Sequence, residues 1–168
     1  MRHLWNTTSR RIGSCLVVAV LTLCGLAAPA AADDQVPFTA TGTAVITSVT
    51  HLPGGLTELS GTVSGTATHL GNVSGPSTRI QDNHGNFATT TVLVSANGKD
   101  SVILAISGHF ESAGGKCVII STGTYTVTGG TGAFANATGS GTITTEIDQC
   151  AGTATGTYEG TISRPNSG

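Results

Sequence analysis

One pattern constrains this chain more than any other: side-chain alternation that recurs along its length and never takes a helical period. From Ser121 to Gly141 the chain reads S-T-G-T-Y-T-V-T-G-G-T-G-A-F-A-N-A-T-G-S-G. Gly123, Tyr125 and Val127 alternate with Thr122, Thr124, Thr126 and Thr128, the period of two expected of a half-buried strand. Gly129, Gly130 and Gly132 interrupt it, and Gly141, Ile143, Thr145 and Ile147 begin a second alternation. Threonine and the aliphatics fit a pleated surface, and glycine supplies the backbone freedom that a connection needs. The same G-T-Y pattern returns at Gly156, Thr157 and Tyr158.

Read from Phe38 onward, the pattern predicts eight strands, over residues 38–49, 56–69, 73–80, 87–96, 101–110, 117–128, 140–147 and 153–163. Turn signals separate them: His51-Leu52-Pro53-Gly54-Gly55, Gly71-Asn72, Asp82-Asn83-His84-Gly85 and Asn97-Gly98, the last a strong hairpin signal. With no helices for crossovers, the strands must pair antiparallel through short connections. Eight such strands can close into an up-and-down barrel, which removes the sheet edges and leaves an interior wide enough for side chains or one small ligand. An immunoglobulin-like β-sandwich has similar spacing and is the alternative. The length of the strands, and the recurrence of glycine on the face taken as inward, favour the all-β barrel.

Residues 1–32 read as a signal peptide. Arg2, Arg10 and Arg11 form a positive start, Leu16 to Leu26 an apolar core, and Ala30-Ala31-Ala32 a small-residue cleavage site. The apolar run is short for a membrane span, and no later stretch approaches the required length. The expected mature chain, residues 33–168, is a single domain in a secreted, extracytoplasmic setting. It carries four Lys and Arg against nine Asp and Glu, a net charge of −5 with no basic cluster, which argues against a nucleic-acid partner. Its two cysteines, Cys117 and Cys150, are expected to pair, since an even count in an exported chain reads as a disulfide.

The glycine-rich segment Gly129-Gly130-Thr131-Gly132-Ala133-Phe134-Ala135, followed by Ala137-Thr138-Gly139, resembles the G-G-T-G-x-F-x-x-A-x-G segment of the allene oxide cyclase and dirigent-like barrels. Ala67-Thr68-His69-Leu70-Gly71 and Gly156-Thr157-Tyr158-Glu159-Gly160-Thr161-Ile162 are similar to segments of the uncharacterised secreted bacterial branch of that superfamily. The resemblance spans Phe38 to Ser163 and implies an eight-stranded antiparallel barrel with a central cavity. It implies little about activity. Ala133 stands where a basic residue is frequent, and no catalytic carboxylate, arginine or cysteine of the plant members can be matched here.

If threonine-rich faces point outward, His69, Tyr125 and Tyr158 point inward and form the candidate ligand-binding set. Counting strands alternately up and down puts His69 and Tyr125 at the end of the barrel that carries the Gly129–Gly139 connection. An imidazole and a phenol there can orient a ligand or move a proton. The preferred reading is structural, with His69 supporting its hairpin and the tyrosines filling the barrel. Arg79 and His109 fall near the opposite end, with the cysteines. Arg79 is read as a solvated surface arginine in preference to an anion-holding one. Glu58, Glu146 and Glu159 lie on threonine faces and read as surface charges. The glycine run lacks a phosphate-loop lysine, and the histidines show no metal-ligand spacing, so no nucleotide cofactor and no metal is expected. Three functions are compatible with these readings: a non-catalytic barrel holding a small apolar or amphipathic molecule, which is preferred; a cyclase or isomerase acting on a reactive small molecule; and a structural or surface-interaction protein with a filled barrel.

Overall fold

The eight alternating stretches all form strands: β1 (Gln35–Leu52), β2 (Leu56–Ala67), β3 (Gly71–Gln81), β4 (Asn86–Ser95), β5 (Ser101–Phe110), β6 (Val118–Thr131), β7 (Gly139–Asp148) and β8 (Thr153–Ser163). The computed structural model describes residues 34–111 and 117–163, so the signal peptide expected over residues 1–32 lies outside the described residues. Each strand pairs antiparallel with the next, and β8 returns to β1, closing the barrel. That closure rules out the sandwich.

The faces follow the alternation. Val63, Tyr125 and Tyr158 are buried, while Thr62, Thr124, Thr157 and Glu159 are exposed. Leu59 is only half-buried, because it lines an open space inside the barrel.

Local irregularities decide what the barrel holds. In β1, Ile46 pairs with Gly61 and Ser48 with Ser60, leaving Thr47 as an extra residue. Such a bulge shifts the phase of a strand by one. Phe38, Ala40 and Ala44 line the interior before it, whereas Val49 and His51, opposite Leu59 and Thr57, do so after it. Thr128 makes a similar irregularity in β6, between the pairs Leu104–Val127 and Ile103–Gly129. In β3, Pro76 lacks an N–H, and the β3–β4 ladder skips Gly75 and Pro76.

One end of the barrel is packed shut. Phe38, Val102, Leu104 and Ile162 are wholly buried there with Leu93 and Phe134. Phe134 rides on a short 3-10 turn, Gly132–Phe134, anchored where Asp100 Oδ1 accepts the Ala133 N–H at 2.9 Å. Tyr125 lies opposite Gly141, which is itself opposite Gly160, so its ring spreads over two strands that offer no side chain. Its edge-on contacts with Phe38 (5.9 Å between centroids) and Tyr158 (6.0 Å) make a column of three aromatic rings. Burying each large apolar side chain contributes about 1.5–3 kcal/mol, so this end is the stability centre of the fold.

The other end carries the β1–β2, β3–β4, β5–β6 and β7–β8 connections. The expected disulfide is formed there between Cys117, just before β6, and Cys150, in the β7–β8 turn, with Cα atoms 5.3 Å apart. Asp148 Oδ1 caps that turn by accepting the N–H groups of Cys150 (3.0 Å) and Ala151 (2.9 Å).

Candidate ligand cavity

Between the aromatic column and the disulfide end lies a cavity of about 520 Å³. Its deep wall comes from Val63, Thr91, Ile106, Ile143 and Tyr158, each placed inward by the alternation of its own strand. Its mouth is rimmed by Val49, His51, Thr57, Gln81, Gln149 and Gly152. Val49 is 56 % exposed, which marks the side open to solvent.

Among the described residues, Arg79 is the one formally charged side chain on the cavity wall, and it corrects the expectation of a solvated surface residue. It projects inward from β3, between Leu59 of β2 and Thr89 of β4. Its guanidinium carbon lies 3.8 Å from the centre of the Phe87 ring and 5.1 Å from that of Phe110. Phe87 is the diagonal neighbour of Arg79 across the ladder, and its ring occupies the space left by Gly108 opposite it. Aromatic faces attract a guanidinium, and arginine tolerates partial loss of water better than lysine does. The charge is nonetheless poorly matched. Nε and Nη2 are shielded from solvent and have no hydrogen-bond partner among the described residues. Burial lowers the Arg79 pKa from its ordinary value to about 10, so the group stays cationic at neutral pH at a cost.

Tyr158 forms the polar part of the floor. Its hydroxyl bonds to the Thr91 side chain, and Thr91 Oγ1 lies 2.9 Å from Ser77 Oγ. Burial is the larger influence on its phenol and the Thr91 bond opposes it, leaving the pKa pushed up to about 12. Tyr158 is therefore a neutral hydrogen-bonding group across the physiological range.

The candidate set His69, Tyr125 and Tyr158 is not brought together. Tyr158 lines the cavity. Tyr125 is buried in the aromatic column behind it, its hydroxyl without a partner among the described residues and its pKa raised by burial. His69 departs furthest from expectation. Strand β2 ends at Ala67, and His69 adopts a left-handed φ of 68° in the turn that follows. That reversal takes the ring out of the alternation and leaves it exposed, with Nε2 3.1 Å from the Pro37 carbonyl oxygen, which accepts its hydrogen. The space lies at the disulfide end, not at the end carrying the Gly129–Gly139 connection. His109, also at that end, is half-exposed and 3.7 Å from Glu111.

Several wall residues escaped the sequence reading. Thr89 and Thr91 face inward although most threonines of the other strands face out, and Ser77 accompanies them. The signal available was the phase of β4, in which Phe87 and Leu93 share a face with both threonines. His51, expected in the β1–β2 turn, lies within β1 opposite Thr57, and the bulge at Thr47 that turns it inward leaves no trace in composition.

No protein-family profile matches the chain, and no curated protein matches it either. Among solved structures, the chain is similar to a pterocarpan synthase dirigent protein, at 14 % identity and a TM-score of 0.50, over 79 % of this chain and 89 % of that one. At that identity the likeness concerns the fold, and the fold it supports is the dirigent-like eight-stranded barrel.

Proposed function

We propose that this protein is a secreted barrel that holds a small apolar or amphipathic molecule in its interior. The observation that carries this reading is the cavity: about 520 Å³, walled by Val63, Ile106, Ile143 and Leu59, and open at one end. That volume falls within the roughly 300–1,000 Å³ of small-molecule sites. A filled barrel would leave no such space. The dirigent neighbour is named for a synthase, so the architecture can host small-molecule chemistry, but a fold does not transfer an activity.

Holding is favoured over turnover by the character of the wall. Efficient proton transfer needs a group whose pKa lies near the working pH. Tyr158, with a pKa of about 12, does not meet that need, and Arg79 is a fixed cation. His51 sits at the rim, its Nδ1 3.3 Å from Thr57 Oγ1, away from the floor.

The direct test is native mass spectrometry of the protein purified from its own host. A retained small molecule, released on denaturation, is expected. Failure to find one, together with failure of an environment-sensitive apolar dye to bind, would overturn the reading.

A further inference from the structure

A cavity that only had to be greasy would not contain Arg79. Its walls are largely apolar, and among the described residues they present no carboxylate. Into this setting β3 projects a guanidinium whose Nε and Nη2 have no acceptor among the described residues. Phe87 and Phe110 hold its carbon in place but supply no hydrogen-bond acceptor. Buried polar groups are normally paired, and an unpaired buried cation is costly. The planar fork of arginine is suited to two parallel hydrogen bonds with a carboxylate.

Resting on the reading of the barrel as a small-molecule holder, we propose that its ligand is an amphipathic monoanion whose carboxylate, or a comparable oxyanion, pairs with Arg79. The anion sits at the level of Leu59 and Thr89, the neighbours of Arg79 across the two ladders. The apolar part runs inward toward Val63, Ile106 and Ile143. Thr57 and Gln81, on the same wall and nearer the mouth, leave the entrance polar enough for a charged head group to pass.

The test compares length-matched ligands that differ only at the head: decanoate, decanol and methyl decanoate. Each is titrated against the wild type, Arg79→Met and Arg79→Lys, all confirmed folded by circular dichroism. The wild type is expected to bind decanoate roughly 10–100-fold tighter than decanol, the range of one to two charge-assisted hydrogen bonds. Arg79→Met should erase that preference while retaining decanol binding, and Arg79→Lys should keep part of it. In the wild type the ¹⁵Nε resonance of Arg79 should move with decanoate and stay still with decanol. Equal binding of acid, alcohol and ester by the wild type would overturn the anion proposal and leave the holding function standing. So would a preference that survives in Arg79→Met. Binding of none of the three, with no apolar dye bound either, would overturn both. If Arg79→Met does not fold, the wild-type affinity ratio and the Nε resonance still decide.

Discussion

The guanidinium carbon of Arg79 stands 3.8 Å from the centre of the Phe87 ring, its diagonal neighbour across the β3–β4 ladder. This contact fixes a cation against the cavity wall without neutralising it. The Phe87 ring can lie there because Gly108, opposite it on β5, leaves room for it. One glycine thus positions a ring, and the ring positions a charge.

The first prediction follows from the cost of that charge. Arg79→Met keeps an unbranched apolar stem and removes the poorly paired guanidinium. It should raise the stability of the ligand-free protein by about 1–3 kcal/mol, as replacing buried ionic groups often does. Urea denaturation at neutral pH measures this. An unchanged or lower midpoint would mean that the charge is already compensated in the folded state.

The second concerns alkaline pH, where Arg79 and the two buried tyrosines act in opposite senses. The folded pKa of Tyr158, about 12, lies above its ordinary 10, so its contribution to stability is complete below pH 10 and is lost as pH rises towards 12. Burial lowers the folded pKa of Arg79 to about 10, so the folded state sheds its proton before the unfolded state does and gains relative stability across that window. Tyr125, its pKa also raised by burial, acts in the same sense as Tyr158, so Arg79 opposes both tyrosines in the wild type. Relative to the wild type, Tyr158→Phe should therefore tilt the stability profile upward between pH 10 and 12, and Arg79→Met should make it fall more steeply. Parallel pH profiles for all three proteins would contradict the assignment.

How far the sequence alone reaches can be judged from particular residues. Thr124, Thr157 and Glu159 lie outward and Val63, Tyr125 and Tyr158 inward because a strand has a period of two and one face is buried, which pattern reading captures. Closure into a barrel was likewise legible, from an even number of strands without helices. The site was not. Thr47 flips the phase of β1 without any compositional mark, and His69 leaves β2 through a left-handed turn that an inward alternation cannot anticipate. On β3, Val73 and Ile80 fall on opposite faces, so hydrophobicity could not decide which way Arg79 points. The pairing that placed it beside Phe87 is a long-range fact.

The third prediction concerns the Cys117–Cys150 bond, which closes a loop over a separation of 33 residues at the cavity end. Alkylation of the denatured, non-reduced protein should label neither cysteine. Replacing both with serine should cost about 3–4 kcal/mol on the loop-entropy scale. Two labelled thiols would contradict the bond.

The fourth contrasts two glycines on the inward face of β8. A methyl group at Gly160 would meet the Tyr125 hydroxyl oxygen at 2.5 Å and the Gly141 Cα at 2.5 Å, and would press on the Ser140 carbonyl oxygen. The backbone atoms cannot yield without opening the β7–β8 ladder, and Tyr125 is 1 % exposed, with Phe38 and Tyr158 against it. Gly160→Ala should therefore cost about 3 kcal/mol, towards the upper part of the range for overpacking. At Gly156 the same methyl finds Thr145 Oγ1 and the Tyr158 ring at 3.6 Å, ordinary contact distances on the cavity wall. There the change restricts the unfolded chain and should add about 0.4–1 kcal/mol of stability. Thermal unfolding of the two variants side by side checks both signs. Equal losses would show that β8 resists any added side chain, whereas a tolerated Gly160→Ala would mean that Tyr125 is free to move and that the closed end of the barrel is looser than its packing implies.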